Sequence, residues 1–171
     1  MENKVTPAWQ KGLILSLIII VIGAGLHLSG LSQNTYAQWS QNILLFAGIV
    51  WACIDYAKQK QGEVTFGNVF GFGFKVTAAV AAIVAVYSIL AVTIIFPEMK
   101  DQAIEAARKS MEDNPKLNEE QIDQALQMTS KMFVPFMIGG VLLGFAFLGA
   151  LASLIGAAVA KKNPNPTPFN Q

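Results

Sequence analysis

His27, Cys53, Asp55 and Lys75 are the residues in or beside apolar runs whose side chains could do chemistry. Ionisable groups at membrane depth are costly and often functional, so each is weighed first. His27 is the single histidine. A metal site takes several ligands, and a proton relay would need a carboxylate at the same depth, which the surrounding run lacks. His27 therefore reads as a hydrogen-bonded interfacial residue. Cys53 is the single cysteine, with no basic neighbour on its helix to activate the thiol, and reads as a packing residue. Asp55 and Lys75 fall at the same end of two apolar runs. An interfacial ion pair between Asp55 and Lys75, or between Asp55 and Lys58, is expected to anchor helix depth while the lysine head reaches water. A membrane enzyme would need a polar cluster around Asp55, Glu63 and Lys75. No Ser-His-Asp set, HExxH or GxxxxGK[ST] occurs, and the acidic residues lack EF-hand spacing. The chain is thus expected to be no enzyme, with no catalytic, cofactor-binding or metal-binding residue and no cofactor.

The elements that carry these residues follow from composition. Of 171 residues, 53% are hydrophobic and 13% charged, and the mean hydropathy is +0.46. Soluble domains carry about 25% charged residues. A chain this short cannot hide so much apolar surface in a water-surrounded core, so lipid must cover part of it. The net charge of +1 offers no basic field for nucleic acid. Four apolar runs stand out, at 12–31, 37–56, 76–97 and 132–160. About 20 helical residues span about 30 Å, the thickness of a hydrocarbon core. Trp39 and Trp51 place aromatic rings towards both ends of the second run, as headgroup-level residues prefer.

Charge placement orients the runs. Four spans put both termini on one side. That side carries Lys4, Lys11, Lys58, Lys60, Lys75, Lys161 and Lys162, and the other carries Lys100, Arg108, Lys109, Lys116 and Lys131. Eight of the eleven acidic residues lie at 98–131. The basic bias places both termini in the cytoplasm. A cleaved signal peptide is not expected, because the first run exceeds the usual apolar core and the one cleavage pattern, Thr35-Tyr36-Ala37, is weak. Segment 98–131 reads as an outer helical hairpin. Its first arm is acidic early and basic late. Asn114-Pro115 breaks it. Asn118 with Gln121 offers a capping box for the second arm. Ile104, Ala107, Met111, Ile122 and Leu126 give it an apolar face. The tail 163–171, with three prolines, is expected to be extended.

Small residues mark where helices can approach. Gly140 and Gly144 form a GxxxG in the fourth run, Ala152, Gly156 and Ala160 continue a four-residue row, and Gly149, Ser153 and Ala157 form a second. Before the third run, Phe66, Phe70 and Phe74 share one helix face, and Gly67 and Gly71 share a neighbouring one that would admit another helix. Ala78 with Ala82, and Ala81 with Ala85, extend this pattern into the third run.

The segment TFGNVFGFGF before the third run, MEDNPKLNEEQIDQALQM before the fourth, and the four-run layout together resemble an uncharacterised family of small bacterial integral membrane proteins, a domain of unknown function. The resemblance covers nearly the whole chain. It implies a four-helix inner-membrane protein and brings no catalytic residue, substrate or cofactor with it. The expected architecture is one all-α polytopic membrane domain over 1–171, with four transmembrane helices and an extramembrane helical hairpin between the third and fourth. The expected partners are the lipid bilayer and either a second copy or another membrane protein, with no nucleic acid. The expected role is non-catalytic association, as a subunit, stabiliser or envelope interaction protein. The competing role is a small oligomeric transporter or channel, which would need Ser16, His27, Thr77, Thr93 and Ser153 to converge on one inward face.

Overall fold

A computed structural model describes residues 5–31, 34–113 and 117–161. They form five α-helices and, among the described residues, no strand: α1 (Ala8–Leu28), α2 (Thr35–Gln59), α3 (Phe66–Leu90), α4 (Glu98–Glu112) and α5 (Glu119–Val159). Lys4, Lys116, Lys162, the Asn114-Pro115 break and the tail 163–171 lie outside the described residues. Four stretches, Ala8–Leu28, Trp39–Gln59, Phe66–Ile95 and Glu119–Val159, are long and apolar enough to cross a membrane.

The helix ends follow local chemistry. Pro7, already extended at φ −67° and ψ 151°, leads into α1. Asn34 caps α2, its side chain accepting from the Tyr36 N–H at 2.9 Å. α2 closes through Gln61 and Gly62, both at positive φ, with the Gly62 N–H donating to the Ala57 carbonyl at 2.9 Å. Glycine occupies the left-handed position at no steric cost. Thr65 accepts from the Asn68 N–H at the start of α3. Phe96 stands at φ −137°, outside the helical region as a residue before proline should be, and its N–H reaches back to the Ala91 carbonyl at 2.6 Å. That five-residue reach makes Ala91–Ile95 a π-helical turn extending α3. Asn118 and Gln121 form the capping box the spacing predicts: Gln121 N–H donates to Asn118 Oδ1 at 2.8 Å, and Asn118 N–H to Gln121 Oε1 at 3.2 Å.

Contacts divide the chain into two compact units, Met1–Val84 with Leu143–Gln171, and Ala85–Leu142. In the first unit the core is built from Leu45, Ile49, Cys53, Val69, Val76, Val80 and Ala152, all essentially inaccessible. α1 is apolar on every side but buries only the stripe Lys11, Gly12, Leu15, Ser16 and Ile19. Leu13, Ile14, Leu17, Ile18 and Val21 stay exposed, the distribution expected of a helix that is apolar all round. Glycines set the separations. A Cβ on Gly12 would lie 2.6 Å from Ala79, and one on Gly48 would strike the Leu15 side chain. On Gly73 it would lie 2.5 Å from Cys53 Sγ and 2.6 Å from Ser153 Oγ, and on Gly149 it would strike Thr77. On Gly156 it would lie 2.6 Å from Cys53 Cβ. Such backbone approach is what small residues permit between apolar helices.

In the second unit α4 buries no residue, while Ile122 and Leu126 of α5 are buried. Exposed ion pairs run along and beyond α4: Glu105 with Lys109 at 3.0 Å, Arg108 with Glu112 at 2.9 Å, and Arg108 with Asp123 at 3.4 Å. The Glu112 hydrogen bond, with the nearby Asp123 carboxylate, holds the Arg108 guanidinium above its ordinary pKa. The expected outer hairpin does not emerge as an element of its own. Segment 98–131 holds one separate helix, α4, and its second arm is the opening of the 41-residue α5, which continues through Pro135. The reason is local: once capped at Asn118, helix propagation meets no glycine or extended residue before the apolar run, and neighbouring groups let a long apolar helix tolerate a proline.

Two glycine classes give a direct test. Gly149→Leu should lower stability by about 1–3 kcal/mol through overpacking against Thr77. Gly71→Ala, where a Cβ meets open space, should raise it by about 0.5–1 kcal/mol. Thermal unfolding in detergent reads both, and equal shifts at the two positions would contradict the packing described.

Candidate functional site

The densest polar arrangement lies where α1 begins and α2 ends. Lys11 occupies the first turn of α1, on its buried stripe. Its side chain is 4% accessible, and its ammonium donates to Asp55 Oδ2 at 2.5 Å and to the Ala52 carbonyl at 3.3 Å. The same nitrogen stands 5.4 Å from the Trp51 ring centre and 5.2 Å from that of Phe72. Both lie inside the range where a cation is attracted to a ring face. Phe72 in turn stacks on Tyr56, with centroids 4.1 Å apart and planes 10° from parallel. Two helices thus supply the carboxylate, the carbonyl and two rings around one cation, with a third ring stacked behind.

Asp55, 30% accessible, is shared. Gln59, one turn later, donates from Nε2 to Asp55 Oδ2 at 2.7 Å. Gln59 Oε1 accepts from the Thr6 N–H at 2.7 Å, and Gln59 Nε2 donates to Thr6 Oγ1 at 3.2 Å. The segment entering α1 is therefore tied to the end of α2 by a chain of hydrogen bonds running Thr6, Gln59, Asp55, Lys11. A buried charge without partners costs several kcal/mol, and this one has a counter-ion, a carbonyl and two ring faces. Chemically it is a clamp. The lysine donates to two acceptors, and the carboxylate accepts from two donors.

The partner of Asp55 is thus Lys11, not Lys75 or Lys58, and Lys75 is exposed on α3. In the sequence Lys11 is one of several charges flanking the apolar runs. The available signal was the antiparallel α1–α2 pair, in which the first turn of one helix meets the last turn of the other. Gly156 and Ala152 are packed inside the first unit, Gly156 against Cys53 and Val50. Gly140 and Gly144 have no atom within 4 Å of a Cβ position outside their own helix, and Gly139 has none either. Gly71 is likewise open, and Gly67 has only Thr65 Oγ1 at 3.9 Å. The close approach in that segment falls at Gly73, and Phe72 rather than Phe66 or Phe74 faces the core. Gly73 belongs to the same glycine–aromatic motif but lies off the four-residue row of Gly67 and Gly71.

Three of the hydroxyls bond back to their own helices. Ser16 donates to the Leu13 carbonyl at 2.8 Å, Thr77 to Gly73 at 3.0 Å and Thr93 to Ile89 at 2.6 Å. Ser16, Thr77 and Ser153 are buried, Thr93 is exposed and His27 is half-buried. Cys53 is buried, its Sγ 3.8 Å from the Val69 carbonyl. Among the described residues no three His, Cys, Asp or Glu side chains come together as a metal site would require.

An all-helical chain with four helices fit to cross a membrane has the makeup of a multi-pass membrane protein. Residues 10–162 match the family described as a protein of unknown function (DUF4199), and the chain belongs to that family. No curated protein and no solved structure matches it.

Removing one member of the clamp tests its role. Asp55→Asn should destabilise the protein by about 3 kcal/mol, the low end for a broken buried pair because Asp55 keeps some water contact. Lys75→Gln should cost less than about 0.5 kcal/mol, as substitutions of exposed side chains usually do. The double change Lys11→Met with Asp55→Leu should recover most of the loss. Unfolding midpoints in detergent decide, and an Asp55→Asn protein as stable as the parent would remove the clamp from the account.

Proposed function

We propose that the protein is a non-catalytic integral membrane protein that acts by association, as a subunit, stabiliser or envelope interaction protein. The observation that carries this reading is the contrast along α5. Its C-terminal small residues, Gly149, Ala152, Ser153 and Gly156, are packed inside the chain's own core. Its earlier Gly139, Gly140 and Gly144 face open space. In lipid, a glycine row free of side-chain neighbours is where another helix can approach and gain van der Waals contact. Exposed Leu143, Phe136 and Phe147 flank it with large side chains able to grip a partner helix. The buried hydroxyls favour this over transport, because Ser16 and Thr77 bond to their own helices and Thr77 and Ser153 are pressed against glycines.

The same proposal places one membrane domain in a bacterial inner membrane, with both termini in the cytoplasm. Its support is the cluster of lysines at one end of the helices: Lys11 joins Asp55 there, and Lys58 and Lys161 border one cavity.

In-membrane crosslinking followed by purification in mild detergent should yield a defined complex, either with a second copy or with a stoichiometric membrane partner. Gly140→Leu with Gly144→Leu should abolish it while the unfolding midpoint stays put, and an unchanged complex would defeat the proposal. For orientation, single cysteines replacing Gln102 and Lys60 in a Cys53→Ala background should react with an impermeant maleimide in opposite settings. Gln102→Cys should label in intact spheroplasts, and Lys60→Cys only after lysis. The reverse pattern would invert the topology.

A further inference from the structure

A cavity of about 570 Å³ opens at the end of the first unit where α2 and α5 finish. Ile54, Ala57 and Val159 form its apolar wall. Lys58 and Lys161 border it, and the Gln61-Gly62 turn closes one side. Among the described residues no carboxylate lines it.

Each helix C-terminus contributes about half a negative charge, so two such ends bring about one. Lys58 and Lys161 bring two full positive charges. The carbonyls of Tyr56, Ala57 and Lys58 already accept the N–H groups of Lys60, Gly62 and Gln61, so the Lys58 head is not needed as a cap for α2. Asp55, one turn before Lys58, is matched by Lys11. The cavity is left cationic. Its size suits a small polar headgroup, since ligand sites run about 300–1,000 Å³. Leading away from it, Leu151, Ile155 and Val159 form an exposed apolar row at four-residue spacing on α5. A cationic cup joined to an apolar track along a membrane helix matches one chemistry: an acidic headgroup with acyl chains attached.

We propose that this cavity binds an acidic phospholipid, its phosphate held by the Lys58 and Lys161 ammonium groups and an acyl chain lying along Val159, Ile155 and Leu151. The proposal rests on the membrane reading above, and specifically on this end of the bundle meeting the lipid headgroups. It adds lipid selectivity, which membrane insertion alone does not supply.

The test uses the full chain in detergent and in nanodiscs, with dioleoyl-phosphatidylglycerol and dioleoyl-phosphatidylcholine as probes. Native mass spectra should show retained phosphatidylglycerol in preference to phosphatidylcholine, and added phosphatidylglycerol should raise the unfolding midpoint. Each lysine near a membrane surface contributes about five-fold in affinity, so Lys58→Gln with Lys161→Gln should weaken phosphatidylglycerol retention about 30-fold. Lys60→Gln with Lys75→Gln removes the same charge from the same end without touching the cavity and should leave retention within about two-fold of the parent, since neither side chain lines the cavity. Equal losses in the two double variants would mean a general surface attraction and overturn the site, as would equal retention of the two lipids. Inorganic phosphate reproducing the midpoint shift would overturn the lipid assignment in favour of a soluble anion. If the chain enters nanodiscs yet shows no lipid preference, the site falls and the membrane reading stands. If it fails to enter bilayers, both fall.

Discussion

Gly73, Gly149 and Gly156 determine how near the backbones of α2, α3 and α5 come to one another. Each lacks a Cβ where a Cβ would collide with Cys53, Thr77 or Ser153. Between apolar helices in lipid there is no hydrophobic force to spare, and contact must come from dispersion at short range. The glycines therefore do more than tolerate the packing. They bring Cys53, Val69, Val76, Ile49 and Ala152 into a core with essentially no accessible surface. Had these positions carried side chains, the helices would stand apart, and Phe72 would not reach Tyr56 or Lys11.

The Lys11–Asp55 clamp is a consequence of that spacing as much as a contributor to it. A lysine on the inner stripe of α1 is tolerable because α2 arrives with a carboxylate and the Ala52 carbonyl, and α3 arrives with a ring. Ion pairs of this kind add little net stability compared with apolar replacements, yet penalise any arrangement in which the partners separate. Its physical role is to fix register: sliding α1 along α2 by one turn would leave a buried cation facing hydrocarbon. Thr6 and Gln59 extend the fixed point to the segment before α1.

α5 shows how one helix serves two environments. Its opening turns carry Glu119, Glu120 and Asp123 and a reciprocal cap, suited to water and to the positive end of the helix. Its end is committed to the internal core. Between them, the row from Gly139 to Gly144 is glycine-rich without an internal neighbour. Gly in a helix interior is conformationally costly, and at these positions no close internal approach offsets that cost.

Much was legible in the residues alone. Periodicity, run length and charge scarcity determine an all-helical chain with four helices fit for a membrane, because these depend on local geometry and on transfer energies summed along the chain. The Asn118–Gln121 cap was legible for the same reason, its partners being three residues apart. The tertiary structure decided what depends on rotation of each helix about its axis and on its choice of neighbour. It gave Asp55 to Lys11 instead of Lys75, made Gly73 rather than Gly67 or Gly71 the point of close approach, and separated the packed glycines of α5 from the open ones. A row of small residues looks the same in sequence whether or not a helix lies across it. Only the assembled packing tells which face is covered, since that face is chosen by the fit of all the helices together.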